Sequence, residues 1–479
     1  MKRSMKLLIL CLVLAVMAGC VTFQPKPLLP SQTAAAFEAR TLDDPGLKAF
    51  LEGNLHREIS PWQPKSWDLP LLTLVALYYH PDLDVARAKW GAAKAGVITA
   101  GQRPNPTVGF IPEFHANAAS GISPWSLTVP SFEALDIPIE TAGKRGYRMA
   151  QAQQLSEAAR LNVAMTAWQV RSRLRTSLLD LYAAQQAEAL LQQQQAAQEE
   201  FVKLLEQRFA VGEASQFEVT QGHIALDQSR LALREKQQQR AEARVHLADA
   251  LGIPVGALNG INLVFDVLER PPAATSLPSQ QVQRQALLNR PDILSALAEY
   301  AASQSDLQLE IAKQYPDVHL GPGYAWDQGD NQWSLGFSLT LPVLNRNRGP
   351  IAEAEARRTE AAASFGALQA QVIGALDRAL AGYRAALHTL ETADAVLSGR
   401  KQAQQSTQAL FKAGEADRLA LVSAQLEVDA SALARLDALV KAQQALGLLE
   451  DAIQRPLDPA ETLPVTPDTD PRPTEANHG

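Results

Sequence analysis

The stretch VHLGPGYAWDQGDNQWSLGFSLTL, residues 318–341, decides the fold class. On both sides of the turn-like residues 328–331, apolar side chains alternate with small or polar ones. Alternation with a period of two predicts β-strands whose two faces differ in polarity. Aromatic residues stand near the turn, as in the aromatic girdles of transmembrane barrels. The pattern therefore predicts a hairpin of two strands of roughly ten residues that faces lipid on one side.

The predicted membrane segment covers residues 316–342, and a weaker copy lies earlier in the chain. There, residues 107–115 and 125–137 flank a loop of small residues, although Pro112 and Pro130 interrupt the strands. The alternative is a soluble hairpin that caps a helical bundle. Four strands per chain cannot close a barrel, since the smallest bacterial barrels have eight, so the barrel interpretation predicts an oligomer. The predicted lipid-facing residues are Leu320, Trp333, Leu335, Phe337 and Leu339.

An internal duplication organises the chain. Residues 80–83 and 290–293 read HPDL and RPDI, residues 135–139 and 339–343 read LDIPI and LTLPV, and residues 209–214 and 411–416 read FAVGEA and FKAGEA. We predict a first repeat over residues 66–254 (strands about 105–138, helical hairpin about 146–252), a connector over 255–280, and a second repeat over 281–456 (strands about 316–342, helical hairpin about 351–454). The fold class expected is mainly α with a small β part.

Two proline-free segments, residues 146–210 and 351–412, are rich in strong helix formers. At 1.5 Å per residue each would be roughly 90–100 Å long, which a single globular core cannot cover. Apolar residues in the second segment step by three or four, as in coiled-coil packing. The pattern suits the wall of a tube, and a soluble antiparallel coiled coil remains the alternative. The stripe comprises Phe365, Leu368, Val372, Ala375, Ala379, Tyr383, Ala386, Leu390, Ala393 and Leu397.

Gly212 and Gly414 stand at matching places, each at the end of a long predicted helix. Glycine tolerates the positive φ that a helix reversal often needs. Ser215 and Asp417 follow at positions where they could cap the returning helix. The sequence therefore predicts that both long helices reverse direction at one end of the molecule. Taken singly, each glycine is as well explained by a simple turn as by a functional surface.

The first twenty residues have the pattern of a targeting signal. A basic start and a short apolar run, residues 7–17, end in Ala18-Gly19-Cys20, which resembles the lipobox of bacterial lipoproteins. The resemblance implies a signal peptide over residues 1–19 and acyl chains such as palmitate on Cys20, with ordinary signal-peptidase cleavage as the alternative. We expect residues 20–65 to be a lipidated tether and the proline-rich residues 457–479 to be disordered.

Composition argues against several functions. The formal net charge is −7 and no basic stripe is present, so nucleic-acid binding has little support. The eight histidines form no paired metal motif, and no cysteine follows Cys20, so we expect no metal site and no cofactor. No converging titratable groups or phosphate loop stand out, so we expect no catalytic residues and no enzyme. No stretch after the leader reaches 18 apolar residues, so membrane crossing would need β-strands.

The duplication, paired strands, long helices and glycine turns together resemble the outer-membrane efflux protein family, also called the TolC family. The resemblance implies a homotrimer with a 12-stranded β-barrel in the outer membrane and an α-helical tunnel across the periplasm. It also implies that the tunnel tip meets a periplasmic adaptor (membrane-fusion) protein and an inner-membrane pump. The implied docking residues are Arg208, Phe209, Gly212, Glu213, Ser215, Phe411, Gly414, Glu415 and Asp417.

The end of the first hairpin, residues 137–145, reads IPIETAGKR and is similar to the family branch that serves cobalt–zinc–cadmium pumps. The alternative is that this segment is simply the end of a strand followed by basic residues, at the place where the barrel would meet the tunnel. The expected function is a passive conduit for small solutes, either metal ions or organic drugs. The alternative from another class is a periplasmic coiled-coil scaffold lipoprotein without a channel.

Overall fold

The computed structural model describes residues 22–109, 111–117, 122, 124–129, 135–274, 277, 287–327, 330–458 and 461. The chain divides into two compact units, residues 1–41 and 42–479. The described part of the first unit contains helix α1 (Pro30–Glu38), which has no buried residue. Cys20 lies outside the described residues.

The second unit begins with a segment that packs tightly. Helix α2 (Pro45–Leu55) starts where the Asp44 carboxylate accepts the Gly46 and Leu47 amides, and Leu42, Leu47 and Leu51 are fully buried in the main core. The expectation of a tether through residue 65 is therefore wrong from residue 42 onward. Helix α3 (Leu69–Tyr79) is buried along almost its whole length, and α4 (Pro81–Ala100) follows it.

Each half of the chain then carries strands and a pair of helices. In the first half, β1 (Thr107–Val108), β2 (Ile111–Phe114), β3 (Trp125–Val129) and β4 (Leu135–Ile139) precede α5 (Lys144–Ala210) and α6 (Gln216–Leu251). A connector contains a short 3-10 turn (Val255–Leu258) and α7 (Asp266–Glu269), each with one buried leucine. In the second half, α8 (Pro291–Ala312), β5 (Val318–Asp327) and β6 (Asp330–Leu339) precede α9 (Arg348–Ala413) and α10 (Arg418–Ile453).

The helices pack side by side as rods. Helix α5 packs against α4, α6, α8 and α10, and α9 packs against α8 and α10. At 67 residues, α5 is about 100 Å long. Every residue of the apolar stripe predicted on α9 is buried or half-buried, which confirms the coiled packing as part of the mainly α fold. No helix in the described ranges is long and apolar enough to cross a membrane.

One antiparallel sheet joins the two halves of the duplication. β5 pairs along its full length with β6, and its other edge pairs with β3 through Leu127–Trp326 and with β4 through Ile137–Leu320. The outer strands are β2, which pairs with β3, and β1, which pairs with β4. Among the described strands, the free edges of β6 and of β1 and β2 have no partner.

The start of the C-terminal tail differs from expectation. The Leu457 amide donates to Glu450 Oε1 over 3.0 Å, and the Leu457 side chain packs on a small apolar cluster around Tyr383. Glu461 is buried and binds Arg171 through two hydrogen bonds of 2.9 and 2.6 Å. Disorder is therefore the wrong expectation for Leu457 and Glu461, because an apolar side chain and a charge partner hold them. Residues 462–479 lie outside the described part.

Candidate functional site: the two sheet faces and the helical tip

The strand register collects apolar side chains on one face of the sheet. Leu320 stands opposite Phe337, Pro322 opposite Leu335, and Tyr324 opposite Trp333. Side chains alternate between faces along a strand, so these pairs share a face with Leu127 and Ile137 on the neighbouring strands. Trp333, Leu335 and Phe337 are 80%, 66% and 67% exposed, Leu339 is also exposed, and Leu320 is half-buried. The five predicted lipid-facing residues thus lie on one continuous apolar face.

The opposite face of the same sheet is polar. His319 Nδ1 lies 2.9 Å from Asp136 Oδ1, and His115 Nε2 lies 2.9 Å from Ser126 Oγ. Ser338 pairs in register with His319 on this face. Among the described residues, no group of three or more potential ligand side chains could hold a metal ion. A sheet that is apolar on one side and polar on the other has the two surfaces of a barrel wall.

Ion pairs fix the junction between the sheet and the long helices. Glu140 binds Arg148, Lys144 Nζ binds Asp317 Oδ1 over 2.8 Å, and Arg145 Nε donates to the Gly101 carbonyl over 2.6 Å. These residues belong to or contact the IPIETAGKR motif of the sequence. Its charged side chains therefore attach the ends of the strands to the beginnings of the helices. This supports the interpretation of the motif as a structural junction between strands and helices.

The two helical reversals have the same construction. Gly212 and Gly414 adopt φ values of +81° and +79° at the ends of α5 and α9. Ser215 caps α6 in a reciprocal pair with Glu218, and the Asp417 carboxylate accepts the Ala420 amide over 2.7 Å to cap α10. Both predicted caps are present, and nothing fills the space beside either glycine. The reversals are thus compact, open turns.

Ion pairs join the two reversals to each other. Arg208 on α5 binds Asp417, and Arg418 Nε donates to Glu200 Oε1 over 2.7 Å. The Ala420 amide, together with the Arg208 guanidinium, holds the pKa of Asp417 below its ordinary value. The structure thereby brings Arg208 and Asp417 together, which their sequence separation gives no means of predicting.

The remaining tip residues are displayed around these pairs. Phe209, Gly212, Glu213, Ser215, Gly414 and Glu415 are exposed, and Phe411 is half-buried. Two apolar side chains that the sequence analysis did not single out, Val211 and Phe217, are also exposed at this end. The sequence could have indicated both, because Val211 is an apolar residue inside a turn and Phe217 is an apolar residue in the first turn of a helix. The tip therefore offers a mixed charged and apolar surface.

A buried charge cluster also escaped the sequence analysis. Arg171 on α5 binds Glu450 on α10 and Glu461 in the tail, while Arg175 binds Glu450 and the Gln443 side chain. Burial alone would lower the pKa of Arg171, but Glu461 and Glu450 outweigh it and raise that pKa. The cluster ties the first long helix to the last helix and to the tail.

With this geometry established, comparison with known proteins gives the family. A family model described as "Outer membrane efflux protein" matches residues 74–253 and 282–453, one match in each half of the duplication. The chain belongs to the outer membrane efflux protein family. The expected family is thereby confirmed.

The names of similar proteins refer to different solutes. The pyoverdine export outer membrane protein OpmQ of Pseudomonas aeruginosa is 29% identical over 308 residues, 59% of this chain and 62% of OpmQ. The chain thus spans less than two thirds of OpmQ. The cobalt-zinc-cadmium resistance protein CzcC of Cupriavidus metallidurans is 24% identical over 380 residues, 78% of this chain and 87% of CzcC.

Solved structures share the fold. The outer-membrane channel OprN superposes with a TM-score of 0.65 at 19% identity, covering 92% of this chain and 99% of OprN. The open state of the MtrE outer membrane channel of Neisseria gonorrhoeae gives a TM-score of 0.66 at 18% identity, covering 81% of this chain and 89% of MtrE. These similarities confirm the expected fold class, mainly helical with a small sheet.

Proposed function

We propose that three copies of this chain close a 12-stranded barrel in the outer membrane, continued by a helical tunnel that conducts small solutes to the exterior. The observation that carries the proposal is the sheet, with one apolar face, one polar face and two free edges. Free strand edges require partners. β3 and β4 pair with successive parts of the same edge of β5, and β2 and β1 lie outside them, so the sheet is four strands wide. Three copies would therefore supply twelve strands, more than the eight of the smallest barrels. A coiled-coil scaffold has no need of such a sheet.

The tip would dock a periplasmic adaptor, which would connect the tunnel to an inner-membrane pump. Support comes from the open glycine turns and from the exposed Phe209, Val211 and Phe217 beside charged residues. Such a surface offers both apolar burial and charge complementarity to a protein partner. The pump would supply energy, and this chain would be a passive conduit without catalytic residues.

The N-terminus would be anchored by acyl chains on Cys20, with residues 1–19 removed. Support comes from Ala18-Gly19-Cys20 after a short apolar run. Two or more acyl chains give stable membrane attachment, whereas one gives only marginal binding. Cys20→Ser should abolish labelling by a fatty-acid analogue and leave the chain unprocessed or soluble. Undiminished labelling of the variant would overturn the anchor without affecting the channel.

The exported solute would belong to one of two chemical classes, divalent metal ions or organic molecules such as siderophores and drugs. Similarity to CzcC supports the first and similarity to OpmQ the second. A deletion strain should become more sensitive to one class than to the other, and the wild-type gene should restore resistance. Unchanged tolerance of both classes would contradict an export function.

A further inference from the structure

The loop that joins β6 to α9, residues 340–347, and the first residue of α9, Arg348, together present apolar and cationic side chains. We propose that this junction loop binds the phospholipid surface at the periplasmic side of the outer membrane. Its leucine and valine side chains insert among the lipids, and its arginines bind the phosphates. The inference rests on the proposed channel, because it requires the apolar sheet face to contact lipid.

The apolar stripe of β6 is shorter than the apolar band of a membrane barrel. From Trp333 to Leu339, β6 rises about 20 Å along the strand, or about 15 Å along the membrane normal at a tilt of about 40°. The apolar band of an outer-membrane barrel is about 25 Å tall, so these residues leave about 10 Å uncovered. Leu341 follows in the same alternation directly after the strand, and Val343 lies just beyond it in a turn, where its amide donates to the Leu341 carbonyl over 2.9 Å. Both side chains are exposed. The loop therefore extends the lipid-facing stripe toward the membrane surface.

The corresponding loop in the first half of the chain has a polar residue where the junction loop has Leu344. Both loops enter their helix through two consecutive residues of positive φ, Ala142 and Gly143 at 54° and 74°, and Arg346 and Asn347 at 48° and 53°. The counterpart of Leu344 in the first loop is Glu140, which pairs with Arg148. The turn therefore accommodates a polar residue at this place.

Leu344 itself is 97% exposed. Since the turn does not require an apolar side chain there, Leu344 has no role within the described chain that would offset its exposure to water. Burying a leucine side chain in an apolar environment is favourable because its apolar surface is removed from water. A lipid surface supplies that environment next to the stripe that the loop continues.

The junction loop is held in place by α8 and displays positive charge. Asn347 Nδ2 donates to the Glu310 carbonyl over 2.8 Å and to Glu310 Oε2 over 2.9 Å, so α8 holds the loop in place. Arg346 and Arg348 are exposed, and neither forms an ion pair with a residue that the structure describes. Basic residues directly beside inserted apolar ones fit the headgroup layer of a membrane, where their charges attract lipid phosphates. If a second copy of the chain covered this loop in place of lipid, that copy would need to supply carboxylates to the two arginines.

The test places a nitroxide label at three positions of the full-length lipidated protein in phosphatidylethanolamine–phosphatidylglycerol vesicles. The variants are Leu344→Cys, Phe337→Cys on the barrel face and Val211→Cys at the exposed tip. Oxygen partitions into lipid and a nickel chelate stays in water, so the ratio of their relaxation effects reports depth. We expect the label at 337 to be deep in lipid, the label at 344 to lie at the lipid surface, and the label at 211 to be aqueous.

The outcomes separate this inference from the channel proposal. A deep label at 337 with an aqueous label at 344 overturns the junction loop and leaves the channel intact. A label at 344 shielded from both reagents shows protein contact and also overturns the inference. An aqueous label at 337 contradicts the channel itself. In the Leu344→Cys background, Arg346→Gln with Arg348→Gln should increase contact with the nickel chelate at least about twofold, whereas Arg384→Gln should not.

Discussion

Arg171 shows how a single buried charge can organise a very long molecule. Its guanidinium is 1% exposed and binds two carboxylates, Glu450 and Glu461, that are nearly as buried. The Thr73 hydroxyl also donates to Glu461, so α3, α5, α10 and the tail meet at this point. Charges removed from water must be paired, since an unpaired buried ion is strongly unfavourable. The cluster thus favours one arrangement of these elements over others.

Glu461→Gln tests whether the tail stabilises this arrangement. Removing one partner of a buried ion pair costs about 3–5 kcal/mol, so we expect a clear fall in the thermal unfolding temperature. Asp437→Asn is the matched control, because Asp437 forms an exposed i,i+4 pair with Lys441 and should change stability by about 0.5 kcal/mol or less. Equal unfolding temperatures for both variants would show that the Glu461 contact is not stabilising.

Asp429 is a second residue whose burial has a measurable consequence. It is buried in α10, one carboxylate oxygen accepts from Gln425, and Oδ2 has no hydrogen-bond partner among the described residues. Burial raises the pKa of Asp429 above its ordinary value of 3.8. The protonated form therefore favours folding, and this contribution is present below pH 3.8 and lost as pH rises through the raised pKa.

The expected effect of Asp429→Asn follows from that sign. At pH 7 the variant should unfold at higher temperature than the natural chain, by about 1 kcal/mol in stability, because it removes a buried charge. The difference should shrink toward zero near pH 3.5, where the natural side chain is protonated as well. Unfolding curves at the two pH values measure this. A variant that is less stable at pH 7 would contradict the account of Asp429.

Among the secondary-structure elements, the sheet gives the most specific prediction, which concerns two neighbouring residues of β6. Phe337 and Ser338 are neighbours in β6 whose side chains occupy opposite faces. A charge on the lipid face of a barrel costs about 2–4 kcal/mol near the midplane, whereas a lumen position tolerates it. Phe337→Arg should therefore reduce the yield of assembled outer-membrane trimers far more than Ser338→Arg. Equal yields would mean that this hairpin does not lie in lipid.

The helical tip gives a second prediction, which concerns the glycines of the two reversals. Gly212 and Gly414 both need positive φ, and no atom lies within 4 Å of a Cβ added at either. Tryptophan there would strain the turn and block the docking surface without disturbing the distant sheet. We expect Gly212→Trp and Gly414→Trp to leave trimers in the outer membrane but to abolish export and cross-linking to an adaptor. Normal export by assembled variants would place docking elsewhere.

For the whole molecule, the sequence predicts what depends on local periodicity. The alternation of residues 318–341 predicted β5 and β6, the proline-free segments predicted α5 and α9, and glycine with its capping residue predicted the reversals. These signals repeat every few residues and need no knowledge of distant contacts. The duplication strengthened each of them, because the same order of signals occurs in both halves.

Contacts between distant segments could not be predicted in this way. Arg171 and Glu461 are 290 positions apart, and the residues around Glu461 are rich in proline, which favoured disorder. Leu47 and Leu51 have the spacing of one helical face, but two such positions in a helix of 11 residues are too short a pattern to predict burial in the main core. The pairing of β5 with β3 and β4 likewise depends on tertiary register. At the tip, the Arg208–Asp417 pair required the folded positions of both hairpins.

Single-channel conductance in planar bilayers tests the central claim, a trimeric channel, most directly. The protein should be measured in its natural form and as a Glu200→Gln, Arg208→Gln variant, which removes both ion pairs between the two reversals. Each exposed pair is worth about 0–1 kcal/mol, so their loss should favour separation of the hairpins by a modest factor. We predict discrete conductance steps, larger or longer-lived in the variant. Folded protein that inserts into the bilayer but gives no steps in either form would contradict the account.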